Sequence, residues 1–398
     1  MRVIASMPST IAELETPVPI VDLDRLAGNL DRAADYAKSH GLALRPHIKT
    51  HKSPRVAEEQ LRRGAVGVTC ATPFEAEVMS SVCSDILVAY PPVGSPRAAR
   101  LAGIPADVRL TVALDSRRAI QDMAAAASAA DRPLGVYVEV DLGMHRVGVP
   151  SVGEAIALAR AVEASPPLTF EGIAFYPGHI RDAVDSQARK LEELNAALGQ
   201  LINAFDGAAL HPRAVSGGST PTMWHTHEIR GVSEFRPGTY VYNDRTTAAI
   251  GACSWDDCAL TVLARVVSTA VPGQAVVDAG SKALGREPMR ADGADGFGVV
   301  RGHPEVAVKS MSEEHGILDL SNTSWRPVVG ELVRIIPNHV CIVVHLNDVI
   351  VGARGDAVET TWPVVARGRG YSISAPSPKR HDPSPFGRET AAAAQPAG

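Results

Sequence analysis

The chain has 398 residues, 45% of them hydrophobic, which is enough to bury a sizeable core and by length favours two domains over one. Its 39 Lys and Arg against 44 Asp and Glu leave a net charge of −5 with no long single-sign block, so a small molecule is the expected partner rather than nucleic acid or a membrane surface. Five cysteines (Cys70, Cys83, Cys253, Cys258, Cys341) contain no CxxC pair, and neither a leader peptide nor a run of about 18 apolar residues occurs, which points to free thiols in a soluble cytoplasmic protein.

Residues 1–17 carry no periodic pattern and are expected to pack on a β domain. From about residue 18, short β-branched runs alternate with segments of helical period: "VPIVDL", "LALRPH", "VGVTC", "DILVAY", "VRLTVAL", "LGVYVEV", "FEGIAFY" and "RAVSGG" are the strand candidates. Leu26, Leu30, Ala33, Ala34 and Ala37 form one apolar helix face, closed by Gly41, while Ser53 and Pro54 supply an N-cap and a first-turn proline to the next helix. Some eight such units over residues 18–245 predict a parallel (β/α)8 barrel of the TIM type; no GxGxxG follows the first strand, which argues against a dinucleotide-binding sheet. Over residues 246–375 the pattern turns to strand-like runs between Gly, Pro and Asp turns ("CALTVLARVVSTA", "QAVVDAG", "ELVRIIP", "CIVVHLN", "VIVGARG"), predicting a mainly β domain. Residues 376–398, rich in Pro, Ala and Ser, read as a disordered tail.

In such barrels chemistry collects at the C-terminal ends of strands. At "RPHIKTHK", strand alternation would put Arg45, His47 and Lys49 on one face and Leu44, Pro46 and Ile48 on the other. An amine among apolar walls and other cations is the kind that attacks an aldehyde; the alternative is a solvated basic turn. In "VEVDLGMHRVGV", Arg146 sits in a loop bounded by Gly143 and Gly148, able to hold a phenolate or carboxylate, or else to pair with Asp141 or Glu139 at the rim. "FYPGHI" offers Tyr176 and His179 at another strand end, for stacking on a flat ring or relaying a proton, or as plain rim packing. "SGGSTPT" and "RPGTYVYND" present Gly217, Gly218, Ser219, Thr220, Gly238 and Thr239 as a cradle for a single phosphate or as two ordinary turns. In "PNHVCIVVHLND", His339 and Cys341 lie two apart, on one face of an expected strand, as a soft metal pair or as core residues; His345 shares that face.

Eight motifs taken together, "RPHIKTHK", "DLGMHRVGV", "YPGH", "SGGSTPT", "RPGTYVYND", "SEEHG", "PNHVC" and "WPVVARGRG", resemble the fold-type III pyridoxal-phosphate enzymes, and among them the D-serine dehydratase and D-threonine aldolase family with its alanine-racemase-like barrel. They run in the family's order over about residues 16–370. The resemblance implies that Lys49, not Lys52, forms the Schiff base with pyridoxal 5′-phosphate, that Arg146 faces the phenolic oxygen and that Tyr176 contacts the cofactor. It further implies that Ser219, Thr220, Gly238 and Thr239 cradle the phosphate and that His339 and Cys341 bind a divalent metal, Zn²⁺ ahead of Mn²⁺, with His339 acting in catalysis. The implied activity is that of a homodimeric lyase on a D-3-hydroxy amino acid. A His-x-Cys pair is similar to the dehydratase branch, giving keto acid and ammonia; the aldolase branch, giving glycine and an aldehyde, tends towards His-x-Asp. Where the family commonly has "VNL" after the metal pair, this chain has "VHL", with His345 replacing Asn. A racemase of the same barrel would not need the metal pair, and a non-catalytic cofactor carrier would not need the β domain.

Overall fold

The computed structural model describes residues 8–289 and 295–368; the expected tail, 376–398, and the end of "WPVVARGRG" lie outside them. The chain starts with strand β1 (Val18–Asp22), followed by helix α1 (Leu23–Ser39). Asp22 caps α1 by accepting from the backbone N–H groups of Asp24 and Arg25, and the helix buries Leu26, Leu30, Ala33 and Ala37 along one side.

Eight parallel strands follow: β2 (Ala43–Leu44), β3 (Val68–Cys70), β4 (Asp85–Val88), β5 (Arg109–Leu114), β6 (Leu134–Glu139), β7 (Leu168–Ala174), β8 (Ala214–Gly217) and β9 (Glu234–Phe235). Helices α2 (Pro54–Arg62), α3 (Pro73–Met79), α4 (Ser95–Ala102), α5 (Arg117–Ala129), α6 (Val152–Glu163) and α7 (Ala188–Gly207) run between them. The sheet order β2-β9-β8-β7-β6-β5-β4-β3 is closed by a parallel bridge between His47 and Thr69. Alternation sorts the side chains: Ile86, Val112, Val136 and Val138 pack with the helices, while Leu87, Ala113, Tyr137 and Ala174 form a separate cluster on the other face. Buried polar groups share the barrel: Arg45 bonds Glu234 (2.6 Å) and Asp85 (2.7 Å), and Glu234 accepts from the Ser216 hydroxyl (2.6 Å).

The expected barrel register is corrected at both ends. "VPIVDL" is not a barrel strand: β1 pairs antiparallel with β10 (Leu260–Ser268) and parallel with β16 (Val349–Arg354) of the second domain. The place in the count is taken by β9, whose two residues are too short for any periodicity to reveal. In "LALRPH" the regular strand is only Ala43–Leu44, backbone hydrogen bonds to the neighbouring strands continue as far as His47, and Lys49 then falls on a 3₁₀ turn, Ile48–Thr50.

The second domain is a nine-stranded sheet that also contains β11 (Gln274–Val277), β12 (Gly298–Val300), β13 (His303–Met311), β14 (Gly316–Asp319), β15 (Leu332–Pro337) and β17 (Ala357–Pro363), in the order β11-β14-β13-β12-β15-β10-β1-β16-β17, with β11 also paired to β10. The N-terminal segment joins it: the Ile11 N–H donates to the Asp356 carbonyl (3.0 Å) and Val358 N–H to that of Ser9 (3.0 Å). Three short helices complete the elements, α8 (Arg245–Ala249), α9 (Ser281–Leu284) and α10 (Val340–Leu346). The last of these corrects the strand expected at "CIVVHLN". Val340, Val343 and Val344, spaced as one helical face, are fully buried, and that packing overrides the β propensity of the run. Among the described residues no helix is long and apolar enough to cross a membrane.

His51, fully buried, is hydrogen-bonded to Gln60 Oε1 (3.2 Å) and accepts from Ser53 N–H (3.2 Å); burial outweighs these bonds and pushes its imidazole down to about 3. The folded chain therefore keeps His51 neutral where the unfolded chain takes up a proton, so stability declines as pH falls below about 6.5 towards 3, by up to about 1.4 kcal/mol per unit from this group. Urea unfolding at pH 7, 6 and 5 is expected to show that decline, with a shallower slope in His51→Gln; an unchanged slope would remove His51 as its source.

Candidate active site

A cavity of ≈ 410 Å³ opens where the barrel strands end and α10 of the β domain approaches. It is lined by Lys49, Arg146, Tyr176, Ser219, Thr220, Gly238, Thr239, His339 and Cys341, so residues spread over some 290 positions of sequence face one space. Lys49 and Arg146 lie over the Tyr176 ring, with Nζ at 5.8 Å and the guanidinium carbon at 4.8 Å from its centroid. Gly178 is required beside that ring: a Cβ there would stand 2.0 Å from Tyr176 Cε1.

Lys52 has a different fate. It adopts a positive φ of 51° and its Nζ bonds the buried carboxylate of Glu75, which also accepts from Ala71 N–H (2.6 Å). Asp141 accepts from the N–H groups of Gly143 (2.9 Å) and His145 (3.0 Å) and bonds the His145 ring (2.9 Å), so its carboxylate serves the turn that presents Arg146. His179 is not among the lining residues; its ring packs against Gly143.

The two small-residue loops are joined, Tyr240 N–H donating to Thr220 Oγ1 (3.2 Å) while Ser219 Oγ lies 3.0 Å from Thr222 Oγ1. Gly238 gives its backbone a close approach to the lysine segment: a Cβ would meet Thr50 Oγ1 at 3.0 Å and the His47 carbonyl at 3.1 Å. An amine, an aromatic wall, two buried hydroxyls and a backbone cradle are the parts that a flat phosphorylated aldehyde needs, and the donor set fits pyridoxal phosphate.

His339 and Cys341 belong to the first turn of α10, not to a strand; His339 is the N-cap residue. Both nonetheless face the cavity. His339 Nδ1 lies 3.2 Å from Asp244 Oδ2, and Cys341 Sγ lies 3.3 Å from the hydroxyl of Thr50, the residue after Lys49. Burial opposes a charged His339, but Cys341 and Asp244 outweigh it and hold the imidazole above its ordinary range. Burial likewise opposes the Cys341 thiolate; His339, Thr50 and Lys49 outweigh it and bring the thiol below its ordinary range. An imidazole beside a thiolate suits a borderline-soft divalent ion such as Zn²⁺. Among the described residues there is no cluster of three His, Cys, Asp or Glu that could hold a metal, so this pair offers two protein donors. His345 lies on the exposed side of α10 and does not line the cavity.

His47, expected on the face of Lys49, does line the cavity, as does Glu139; Arg236 and Asp244 are among the lining residues that the sequence reading gave no role. Burial, reinforced by Lys49 and Arg236, pushes His47 well below its ordinary range, so it faces the cavity neutral. Burial raises Glu139 against the pull of Arg236 and Arg146. Arg236 donates to the Phe175 carbonyl (2.9 Å) and to the Ser216 hydroxyl. Arg236 and Asp244 stand inside "RPGTYVYND", and Asp244 ahead of "RTT" has the form of a helix N-cap, a signal that was present and unused.

Residues 21–246 match the model of the alanine racemase N-terminal domain, and residues 259–353 that of the serine dehydratase domain. The 3-hydroxy-D-aspartate aldolase of Paracoccus denitrificans (strain Pd 1222) is 34% identical over 373 residues, which cover 90% of this chain and 94% of that protein. The chain belongs to the D-serine dehydratase and D-threonine aldolase family of fold-type III pyridoxal-phosphate enzymes. Two solved members share its whole architecture. D-threonine aldolase from Filomicrobium marinum superposes with a TM-score of 0.84 at 34% identity, covering 91% of this chain and 98% of that one. D-threo-3-hydroxyaspartate dehydratase from Delftia sp. HT23 gives 0.81 at 31%, covering 92% and 100%, and a cysteine-to-alanine variant of it has been solved in a metal-free form. As a member of this family the chain is a pyridoxal-phosphate-dependent lyase.

Lys49→Ala is expected to abolish the absorbance of the lysine–cofactor linkage. Lys52→Ala is expected to keep that absorbance but to lose about 3 kcal/mol of stability, because the Glu75 carboxylate is left buried and unpaired. Absorbance spectra and urea melts of the two variants separate the roles; a linkage that survives in Lys49→Ala would overturn the assignment.

Proposed function

We propose that the protein is a metal-assisted lyase on a D-3-hydroxy amino acid, and that its reaction is β-elimination to a keto acid and ammonia. The observation that carries this reading is the placement of His339 and Cys341 in one cavity with Lys49. Bound pyridoxal phosphate supplies an electron sink for charge at the substrate α-carbon, and a divalent ion supplies Lewis acidity for a 3-hydroxyl.

The residues take definite parts. Lys49 would hold the cofactor through its aldehyde and would serve as the base that moves the proton at the substrate Cα. Ser219, Thr220, Gly238 and Thr239 would hold the phosphate end, while Tyr176 and Arg146 would fix the ring and its phenolic oxygen. His339 and Cys341 would hold the ion, Zn²⁺ ahead of Mn²⁺; a two-donor site leaves positions for water and a substrate hydroxyl. Cys341 in the second ligand position favours hydroxide loss. The alternative, cleavage of the Cα–Cβ bond to glycine and an aldehyde, is favoured by the aldolase names of relatives at 34% identity, and the Delftia dehydratase at 33% shows both activities to be represented at similar distance. We further infer a homodimer working in the cytoplasm, in keeping with five free cysteines.

Product analysis on D-serine, D-threonine and D-threo-3-hydroxyaspartate tests the choice. Keto acid and ammonia in equal amounts, without glycine, are expected from at least one of them; glycine with an aldehyde would move the enzyme to the aldolase reading. A chelator is expected to remove the activity and Zn²⁺ or Mn²⁺ to restore it, whereas turnover after complete metal removal would rule out the role given to His339 and Cys341.

A further inference from the structure

Each residue of the metal pair is held by a residue of the barrel side. Thr50 reaches Cys341 from the lysine turn, and Asp244 reaches His339 from the loop that follows the phosphate cradle. Asp244 is 1% exposed, and both its oxygens are engaged. Oδ1 accepts from the Thr247 N–H (2.9 Å) and hydroxyl (3.1 Å), closing the capping box of α8, while Oδ2 accepts from the Val340 N–H (3.2 Å) and lies 3.2 Å from His339 Nδ1. A carboxylate oxygen that already accepts from a fixed backbone N–H has no proton to offer the imidazole. The bond to His339 therefore forms with Nδ1 as the donor, which leaves Nε2 as the ring nitrogen available for a metal.

We propose that Asp244 is the positioning residue of the metal centre: it fixes His339 with Nδ1 protonated and Nε2 as the ligating nitrogen, in register with the barrel loop that carries Gly238 and Thr239. The proposal rests on the reading of His339 and Cys341 as metal ligands. Its consequence is that metal affinity depends on a side chain that does not touch the metal. Carboxylate partners of ligating histidines typically contribute 10–100-fold in metal affinity.

Asp244→Asn tests this, because the amide has one acceptor where the structure requires two. Thr247 N–H stands on one side and Val340 N–H with His339 Nδ1–H on the other, so one side must face an NH₂ group. In the holoenzyme, Zn²⁺ affinity measured by competition with a chromogenic chelator is expected to fall 10–100-fold, with the absorbance of the lysine–cofactor linkage unchanged. Affinity within about twofold of wild type in Asp244→Asn, where His339→Gln loses it, would overturn the proposal alone. Wild-type affinity in His339→Gln would overturn the ligand reading and the proposal with it. Should Asp244→Asn fail to fold, ¹⁵N–¹H correlation on the histidine-labelled, Zn²⁺-loaded wild type decides the matter: a protonated Nδ1 and metal-bound Nε2 at His339 support the proposal, and metal on Nδ1 overturns it.

Discussion

The constraint on which the active site depends is the placement of β1. Its five residues are hydrogen-bonded on both edges, Val18–Val21 against Leu260–Leu263 of β10 and Ile20–Asp22 against Val351–Ala353 of β16. The chain thus begins in the β domain, crosses through α1 into the barrel, and returns. Two domains strung in sequence could swing about a single linker; here the second domain is built around a strand laid down before the barrel and closed on after it. That interleaving gives α10 a fixed station above the barrel mouth, where Thr50 of the lysine turn meets Cys341.

Inside the barrel a second network serves the same end. Asp85, Arg45, Glu234, Ser216 and Arg236 form a continuous, largely buried chain of hydrogen bonds and ion pairs that runs from Asp85 of β4, through Arg45 just after β2, Glu234 of β9 and Ser216 of β8, to the cavity. Buried charge is costly unless it is satisfied: Arg45 is ion-paired to Glu234 and Asp85, and Arg236 is hydrogen-bonded to Ser216 and the Phe175 carbonyl. The gain is orientation: Arg236 is held at Ser216 and at the Phe175 carbonyl, so its position at the cavity wall is set by strands rather than by a mobile loop.

Much of this was legible in the sequence, and the failures have physical causes. The barrel rhythm was readable because buried parallel strands and amphipathic helices have distinct periods, and the lysine, arginine, tyrosine, small-residue and His-x-Cys clusters announced chemistry at strand ends; the structure gathers them around one cavity. Membership of a sheet is another matter. "VPIVDL" has the same buried β-branched pattern whether its neighbours are barrel strands or strands more than 200 residues away, and nothing local distinguishes them. The run "VCIVVHL" carries strand propensity and helical spacing at once, and only the burial of Val340, Val343 and Val344 decides between them. Asp244 reads locally as a helix cap, which it is; its second bond reaches a residue 95 positions later and no window on the sequence contains both.

That double use of Asp244 bears on how such a site is assembled. A His-x-Cys pair on a helix of one domain and an amine on a turn of the other have no reason to meet unless something measures the distance between them. The measuring is done by short polar contacts, His339 to Asp244 and Cys341 to Thr50, made to residues whose backbones are already fixed by the cap of α8 and by the 3₁₀ turn of Lys49. Burial disfavours both the imidazolium and the thiolate, and the contacts of His339 and Cys341 with each other and with their barrel partners offset that cost. A domain displaced from the barrel would lose those partners, and with them the placement of both side chains at the cavity. His339 and Cys341 therefore have their partners only when the two domains are docked, at the same cavity that Lys49 lines.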